Sequence, residues 1–509
     1  MIGAGPSSTA ATETAVGAGA KPNRPNIVFV LTDDLAWNLV RYMPHVIAMR
    51  HNGMTFSNYY VTDSLCCPSR ASILTGRYPH NTRVYSNNPP NGGFILFHNR
   101  GEELNTFATT LQHEGYRTAL MGKYLNGYQP DDVEEGKNTS YVPPGWSEWD
   151  VAGNGYPEYG YTLNQDGRLK RYGYAPGEYL TDVLAHKSLR FISSSANRHV
   201  PFMLEIATFA PHAPFVPAPR DKSDFTTLKA PRTPAFDAAN IDAPAWLSHY
   251  EPLTEPQIEK INSQFRRRAQ SVQAVDEMIG AIERELTARG LARNTYIVFS
   301  SDNGLHMGEH RLQAGKLTAF DSDIRVPLIV LGPHVPHGRT VSAMTENIDL
   351  CPTFDQLAGA RAPRATDGHS LMSLLHGGPE KPWPREILVE HRGPDFAPND
   401  PDLPTAGSGN PPSYEAIRTA NSLYVEYADG EHEYYDLRTD PYEIQNIAAE
   451  LSPTHLLALH RTLQRIAHCR GQRQCWRAQH GRTEVTEVSG PGARFRTPEL
   501  LRRRRRPRS

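Results

Sequence analysis

Two pairs of oxygen-bearing side chains, Asp33-Asp34 and Asp302-Asn303, each follow a short apolar run, NIVFVLT and YIVFSS. Carboxylates and an amide carbonyl are hard ligands that suit Ca2+ or Mg2+, whereas zinc favours His or Cys. A single Asp at a strand end is more often a turn or cap residue. Two pairs closing two strands of one sheet tip the balance toward a metal site. Lys123 closes a third such run and His212 follows a fourth. They bring a lysine and a histidine toward the same edge as the acids and the amide.

These residues can meet only if the runs are neighbours in one sheet. Residues 26–32, 116–121, 202–207, 296–300 and 326–331 read as continuous apolar runs, the pattern of parallel strands buried on both faces. Helical stretches lie between them. The longest is expected over 263–289, where Val272, Val275, Ile279, Ile282 and Leu286 recur at threes and fours and Gly290 marks the stop. Leu180, Leu184 and Phe191 point to another. This alternation predicts an α/β protein with helices on both faces of a mostly parallel sheet. In such sheets ligands gather beyond the carboxyl ends of the strands, where the acids, lysine and histidine are placed.

After about Pro382 the character changes. Residues 393–412 are dense in Pro, Gly, Asp and Asn and read as a long loop. Residues 416–437 alternate around Asp429-Gly430, a hairpin signal, and a helix is expected over 453–468. Together they predict a smaller α+β subdomain with an antiparallel sheet.

Residues 65–80 read LCCPSRASILTGRYPH. The segment resembles the signature of the formylglycine-dependent sulfatases, Cys-x-Pro-Ser-Arg followed by Leu-Thr-Gly-Arg. Cys66, Pro68, Ser69, Arg70, Leu74, Thr75, Gly76 and Arg77 carry the match. Cys67 does not fit, because Ser69 stands where it would need proline. NIVFVLTDD, SDNGLHMGEHRL with the following Lys316, DIRVPLIVLGP and YDLRTDPYEIQNIA also look like sulfatase sequence, so the resemblance spans about residues 24 to 480. Within the family, MTFSNYYVTDSLCCPSRASILTG, GKYLNGY, YLTDVLAHKSLRFI and the paired cysteines are most similar to the N-acetylglucosamine-6-sulfatase branch.

The resemblance implies an alkaline-phosphatase-like fold, with a sulfatase catalytic domain over 24–381 and the smaller subdomain over 382–480. It implies release of inorganic sulfate from a sulfated sugar or an aryl sulfate. Cys66 would be oxidised to formylglycine (3-oxoalanine) by a maturation enzyme and hydrate to a geminal diol. One hydroxyl, held on the metal and deprotonated with help from Asp302, would attack sulfur. The other would let the covalent sulfate leave by elimination, a step closed to an ordinary serine. Asp33, Asp34, Asp302, Asn303 and the oxidised Cys66 would hold the metal, with Ca2+ favoured over Mg2+ by the resemblance. Arg70 would orient the diol, Lys123 and Lys316 would bind sulfate oxygens, and His212 would protonate the leaving oxygen.

One departure stands out. Many sulfatases carry a histidine two residues after the sulfate-binding lysine, where this chain has Leu125. His306 and His310 are then candidates for the base of the elimination step, or else outer residues without a chemical role. Two other readings remain open: a phosphonate monoester or phosphodiester hydrolase on the same scaffold, and a non-catalytic protein that binds sulfated glycans. Loops 129–167 and 393–412 are expected to set selectivity.

The rest of the chain bounds the setting. No run approaches 18 apolar residues, so no membrane span is expected. A formal charge of -2 gives no reason to expect a nucleic-acid partner. Residues 1–23 read as a flexible lead-in without the basic and apolar regions of a signal peptide, and 481–509, with Arg502 to Arg506, as a self-repelling basic tail. Cys469 and Cys475 enclose a short polar loop that could close a disulfide, which would favour a secreted or extracytoplasmic protein over a cytoplasmic one. Cys351, in an apolar stretch, reads as a buried thiol. The sequon Asn138-Thr139-Ser140 adds little.

Overall fold

The computed structural model describes residues 24–130, 140–381, 383–384, 386–398 and 400–480. The lead-in 1–23, the basic tail 481–509, Pro382 and the sequon positions 138 and 139 lie outside the described residues.

Strand Asn26–Thr32 is buried along its whole length, because successive side chains enter two different cores. Ile27, Phe29 and Leu31 pack with Ala71, Ile73, Phe107 and Phe354 on one face. Val28 and Val30 pack with Leu184, Val272 and Ile279 on the other. A strand with two apolar faces needs a helical layer on each side. One layer holds Leu180–Arg198 and Glu255–Ala288. The other holds Cys66–Thr75, Phe107–His113 and Leu350–Leu357.

The sheet has ten strands, and five in its middle run parallel: Thr295–Ser301, Asn26–Thr32, Phe202–Ala207, Arg117–Lys123 and Glu148–Ala152. Leu328–Leu331, expected to repeat the parallel pattern, pairs antiparallel with Thr295–Ser301 and with Met54–Phe56. It too is buried among strands, and burial does not encode direction. Arg339–Val341 completes that edge. At the other edge, Thr162–Gln165 and Arg168–Arg171 continue the sheet antiparallel. Two parts of the expected loop 129–167, Glu148–Ala152 and Thr162–Gln165, are therefore strand.

The long helix begins at Glu255, well before residue 263. Thr254 and Gln257 form a capping box with Pro256 in the first turn, so the polar opening turns are stabilised by their ends rather than by an apolar stripe.

A second sheet of four antiparallel strands is formed by Glu386–His391, Tyr414–Thr419, Ser422–Tyr427 and His432–Asp436. Helix Pro453–Ala467 covers it, packing Leu459, Leu463 and Ile466 against Leu388, Ile417 and Tyr424. Each such aliphatic side chain contributes roughly 1.5–3 kcal/mol on burial. Cys469 and Cys475 are joined by a disulfide, and Cys351 is a buried free thiol.

Candidate active site

Four adjacent parallel strands end at one place. Asp33 and Asp34 follow Thr32, Lys123 closes its strand, Asp302 and Asn303 follow Ser301, and the chain after Ala207 turns back at His212. All six are buried. Helix Cys66–Thr75 points its first residue at this edge, and every one of its side chains is enclosed. It stops at Gly76, whose φ of 67° is left-handed and where a Cβ would lie 2.8 Å from the Thr366 methyl. Arg70 stands one turn after Cys66 on the same face.

Around Cys66 the charges interlock. Its Sγ lies 3.2 Å from Asp33 Oδ1 and 3.0 Å from Lys316 Nζ. Lys123 Nζ donates to Asp33 Oδ2 at 2.7 Å and Lys316 Nζ to Asp34 Oδ1 at 2.6 Å. Arg70 Nε donates to Asp302 Oδ2 at 2.8 Å, with a second guanidinium nitrogen 3.7 Å from Asp33. Asp33, Asp34, Cys66, Arg70, Lys123, His212, Asp302, Asn303 and Lys316 are thus brought together.

The electrostatics follow from enclosure. Burial raises the Asp302 carboxyl, but Arg70, Lys123 and Lys316 outweigh it and hold it down at about 2. Burial opposes charge on Lys123 and Lys316, yet Asp33 and Asp34 respectively keep both ammonium groups well above their ordinary value. Burial, then the carboxylates of Asp302, Asp33 and Asp402, push the Cys66 thiol well up. That environment favours the protonated thiol over the thiolate.

His212 has both ring nitrogens facing acceptors: Nδ1 lies 2.8 Å from the Ala213 carbonyl and Nε2 2.6 Å from Asp402 Oδ1. Both contacts are satisfied when both nitrogens carry protons. Burial lowers the pKa of the ring, and Asp34, Asp402 and Asp33 raise it beyond that loss. Asp402 also takes Lys316 at 2.7 Å. Sequence reasoning missed it, although it sits in the loop 393–412 singled out for selectivity. Tyr156 was missed as well; its ring lies 4.5 Å from that of His212 and 5.0 Å from Lys123 Nζ. A cleft of about 150 Å³ opens above Asp34, His212, Lys316 and Asp402.

The two other candidate histidines are engaged elsewhere. His306 lies 2.9 Å from Asp323 and 2.9 Å from the Ser408 carbonyl, one contact on each ring nitrogen. His310 stacks on Phe320 and meets Asn240, and burial with the neighbouring His306 pushes it down to about 3. Leu125 is a core residue.

The donor set fits a hard cation. One ligand atom from each of Asp33, Asp34, Cys66 and His212 can be chosen so that all lie within 4.8 Å of one another. Beside them, Asn303 donates its amide hydrogen to Asp34 at 2.7 Å, leaving its buried Oδ1 without any hydrogen-bond partner. An orphaned carbonyl oxygen beside clustered carboxylates is what a bound cation satisfies.

Residues 25–360 match the sulfatase family model. The chain belongs to the sulfatase family. As a sulfatase it is a sulfuric ester hydrolase, and residues 308–468 also match the C-terminal model of N-sulphoglucosamine sulphohydrolase. The human N-acetylglucosamine-6-sulfatase is 35% identical over 483 residues, covering 89% of this chain and 86% of the human protein. Among solved structures, an enzyme in complex with its substrate D-glucosamine-2-N,6-O-disulfate shares the fold with a TM-score of 0.71 at 23% identity, covering 87% of this chain and 97% of that one. A phosphonate monoester hydrolase from Silicibacter pomeroyi does so with a TM-score of 0.67 at 24% identity, covering 86% and 93%. Both support the alkaline-phosphatase-like arrangement of this sulfatase. No helix among its described residues is long and apolar enough to cross a membrane.

Proposed function

We propose that this sulfatase releases sulfate from a sulfated amino sugar of the N-acetylglucosamine-6-sulfate type, using formylglycine made from Cys66 and a divalent cation, Ca2+ in preference to Mg2+. The observation that carries the reading is the placement of Cys66, whose Sγ lies 3.0 Å from Lys316 Nζ and 3.2 Å from Asp33 Oδ1 among the buried cations and carboxylates. Its sulfur marks where the oxygens of the oxidised residue would sit. When oxidised, Cys66 supplies a diol oxygen as nucleophile and a second hydroxyl that allows sulfate to leave by elimination. Asp33, Asp34, Asp302 and Asn303 would hold the cation, which supplies charge to offset the repulsion between an anionic ester and an anionic nucleophile.

The chain's own groups do the remaining work. Arg70, fixed on Asp302 and Asp33, places positive charge beside the nucleophile. Lys123 and Lys316 bind the sulfate oxygens, and their buried ammonium groups act with little screening by water. His212 donates its Nε2 proton to the departing sugar oxygen. The likeness to the human N-acetylglucosamine-6-sulfatase supports the substrate class. The buried disulfide supports maturation in an oxidising, extracytoplasmic compartment.

The likeness of fold to a phosphonate monoester hydrolase favours one competing reading, hydrolysis of phosphonate or phosphate esters. Two measurements separate them. The tryptic peptide 51–70 from protein made in its own host should carry an aldehyde at Cys66; an intact thiol in active protein sinks the formylglycine reading. Turnover of an aryl sulfate should exceed that of the matching phosphodiester, and the reverse preference sinks the sulfate ester as main substrate.

A further inference from the structure

Helix Cys66–Thr75 has a second chemically distinctive end. Ten residues of helix span roughly 15 Å. Beyond the far end lies a cleft of about 510 Å³ whose lining includes Arg77, His80, Arg83, Arg100, Arg364 and Arg470. The guanidiniums come from separate segments. Arg83 caps the short helix Pro79–Thr82, and Arg364 follows Leu350–Leu357 in the sequence. Arg470 lies inside the ring closed by Cys469 and Cys475.

Internal anions neutralise only part of this wall. Asp367 is the single acid among the lining residues. Its carboxylate is occupied by the Tyr78 amide at 3.0 Å, the Asn81 side chain at 2.8 Å and the Gly471 amide at 2.6 Å. Glu102 serves Arg77 and Arg100. Arg83, Arg364 and Arg470 are exposed and have no carboxylate partner among the described residues. His80 is fixed between Glu390 at 2.8 Å and the Cys469 carbonyl at 2.9 Å. The floor of the cleft is therefore held by internal bonds, while Arg83, Arg364 and Arg470 remain available. Guanidiniums lining one cleft suit anions that accept paired hydrogen bonds, such as carboxylate and sulfate groups, and repulsion among them is relieved when such an anion binds.

We propose that this cleft is a second anion site that grips sulfate or carboxylate groups of a glycan chain, away from the ester being cleaved. The proposal rests on the sulfated-sugar reading above. Two-point attachment raises the effective concentration of a polymer at the active site and does nothing for a small ester.

The test compares the full chain with its Arg364→Glu/Arg470→Glu variant, using a heparin-derived octasaccharide, inorganic sulfate and a small aryl sulfate. Charge reversal is expected to weaken octasaccharide binding about tenfold or more. Binding of inorganic sulfate should weaken far less than that of the octasaccharide, and kcat/KM for the aryl sulfate should not change, the latter also showing that the variant is folded. Unchanged octasaccharide binding overturns the proposal. Equal losses for octasaccharide and inorganic sulfate overturn it in favour of a free-anion site. Arg364→Lys/Arg470→Lys, which keeps the charge, should retain more of the binding than the glutamates do; equal loss would overturn the electrostatic origin. If the unaltered protein turns over no sulfate ester, the catalytic reading falls by itself, and octasaccharide binding still decides the cleft.

Discussion

Asp402 Oδ1 lies 2.6 Å from His212 Nε2, joining residues 190 positions apart in the chain. The same oxygen is 2.7 Å from Lys316 Nζ. One carboxylate therefore faces the proposed acid and also occupies the cation proposed to bind sulfate. Asp402→Asn should act on both roles in opposite senses. We expect kcat for an aryl sulfate to fall roughly 10- to 100-fold as His212 loses its partner. Inorganic sulfate should inhibit several-fold more tightly, on the order of 1 kcal/mol, because one competing charge is gone. Steady-state kinetics with sulfate as inhibitor read both, and an unchanged inhibition constant would argue against competition at Lys316.

Cation binding has a readout independent of turnover. Because Asn303 Oδ1 has no other partner, Ca2+ should raise the unfolding temperature of chelator-treated protein as its concentration increases. Asn303→Leu should raise the Ca2+ needed for half of that shift about tenfold or more. Calorimetry across a Ca2+ series checks this. A shift identical in the variant removes Asn303 from the ligand set.

Glu158 predicts a pH dependence of stability. Burial outweighs its bonds from the Thr181 amide and hydroxyl and pushes its carboxyl up to about 8. Between the ordinary glutamate value, about 4.5, and 8, the folded chain keeps a proton that the unfolded chain releases. Stability should fall as pH rises through that window, by up to about 1.4 kcal/mol per unit from this residue. Glu158→Gln keeps an acceptor for Thr181 and should flatten that part of the curve. Denaturant titrations from pH 5 to 8 would show parallel curves if the idea is wrong.

The disulfide closes a small ring, with Cys469 and Cys475 six positions apart. Replacing both cysteines with serine should lower stability by about 2 kcal/mol on loop entropy. The Cys469 carbonyl also anchors His80 and Asn81, so octasaccharide binding should weaken along with it. A variant equally stable to denaturant would mean that the packing around the ring, rather than closure, sets the loop.

Legibility in the sequence followed burial. Asn26–Thr32 and Thr295–Ser301 are enclosed on both faces, and their unbroken apolar runs announce them. Arg168–Arg171, reading RLKR, is exposed along its length and has no pattern to betray a strand. Asp33, Asp34, Lys123, Asp302 and Asn303 were legible because a strand end fixes where its next residues lie. Asp402 was not, since its position depends on the path of an aperiodic loop. Arg268 is a sharper case: in sequence it looks like its neighbours Arg266 and Arg267. Only the fold turns it inward, where it donates to the Asp34 carbonyl.

That loop leaves the second sheet at His391 and returns at Tyr414, its directly paired partner. Residues 392–413 are thus a hairpin tip whose ends are already tied together, while the strands bearing the acids, Lys123 and His212 belong to the other sheet. Lengthening or rewriting the tip asks nothing of the large sheet's register. The tip nonetheless carries Asp402 to His212 and Lys316, so a segment foreign to the large sheet reaches the groups at that sheet's edge.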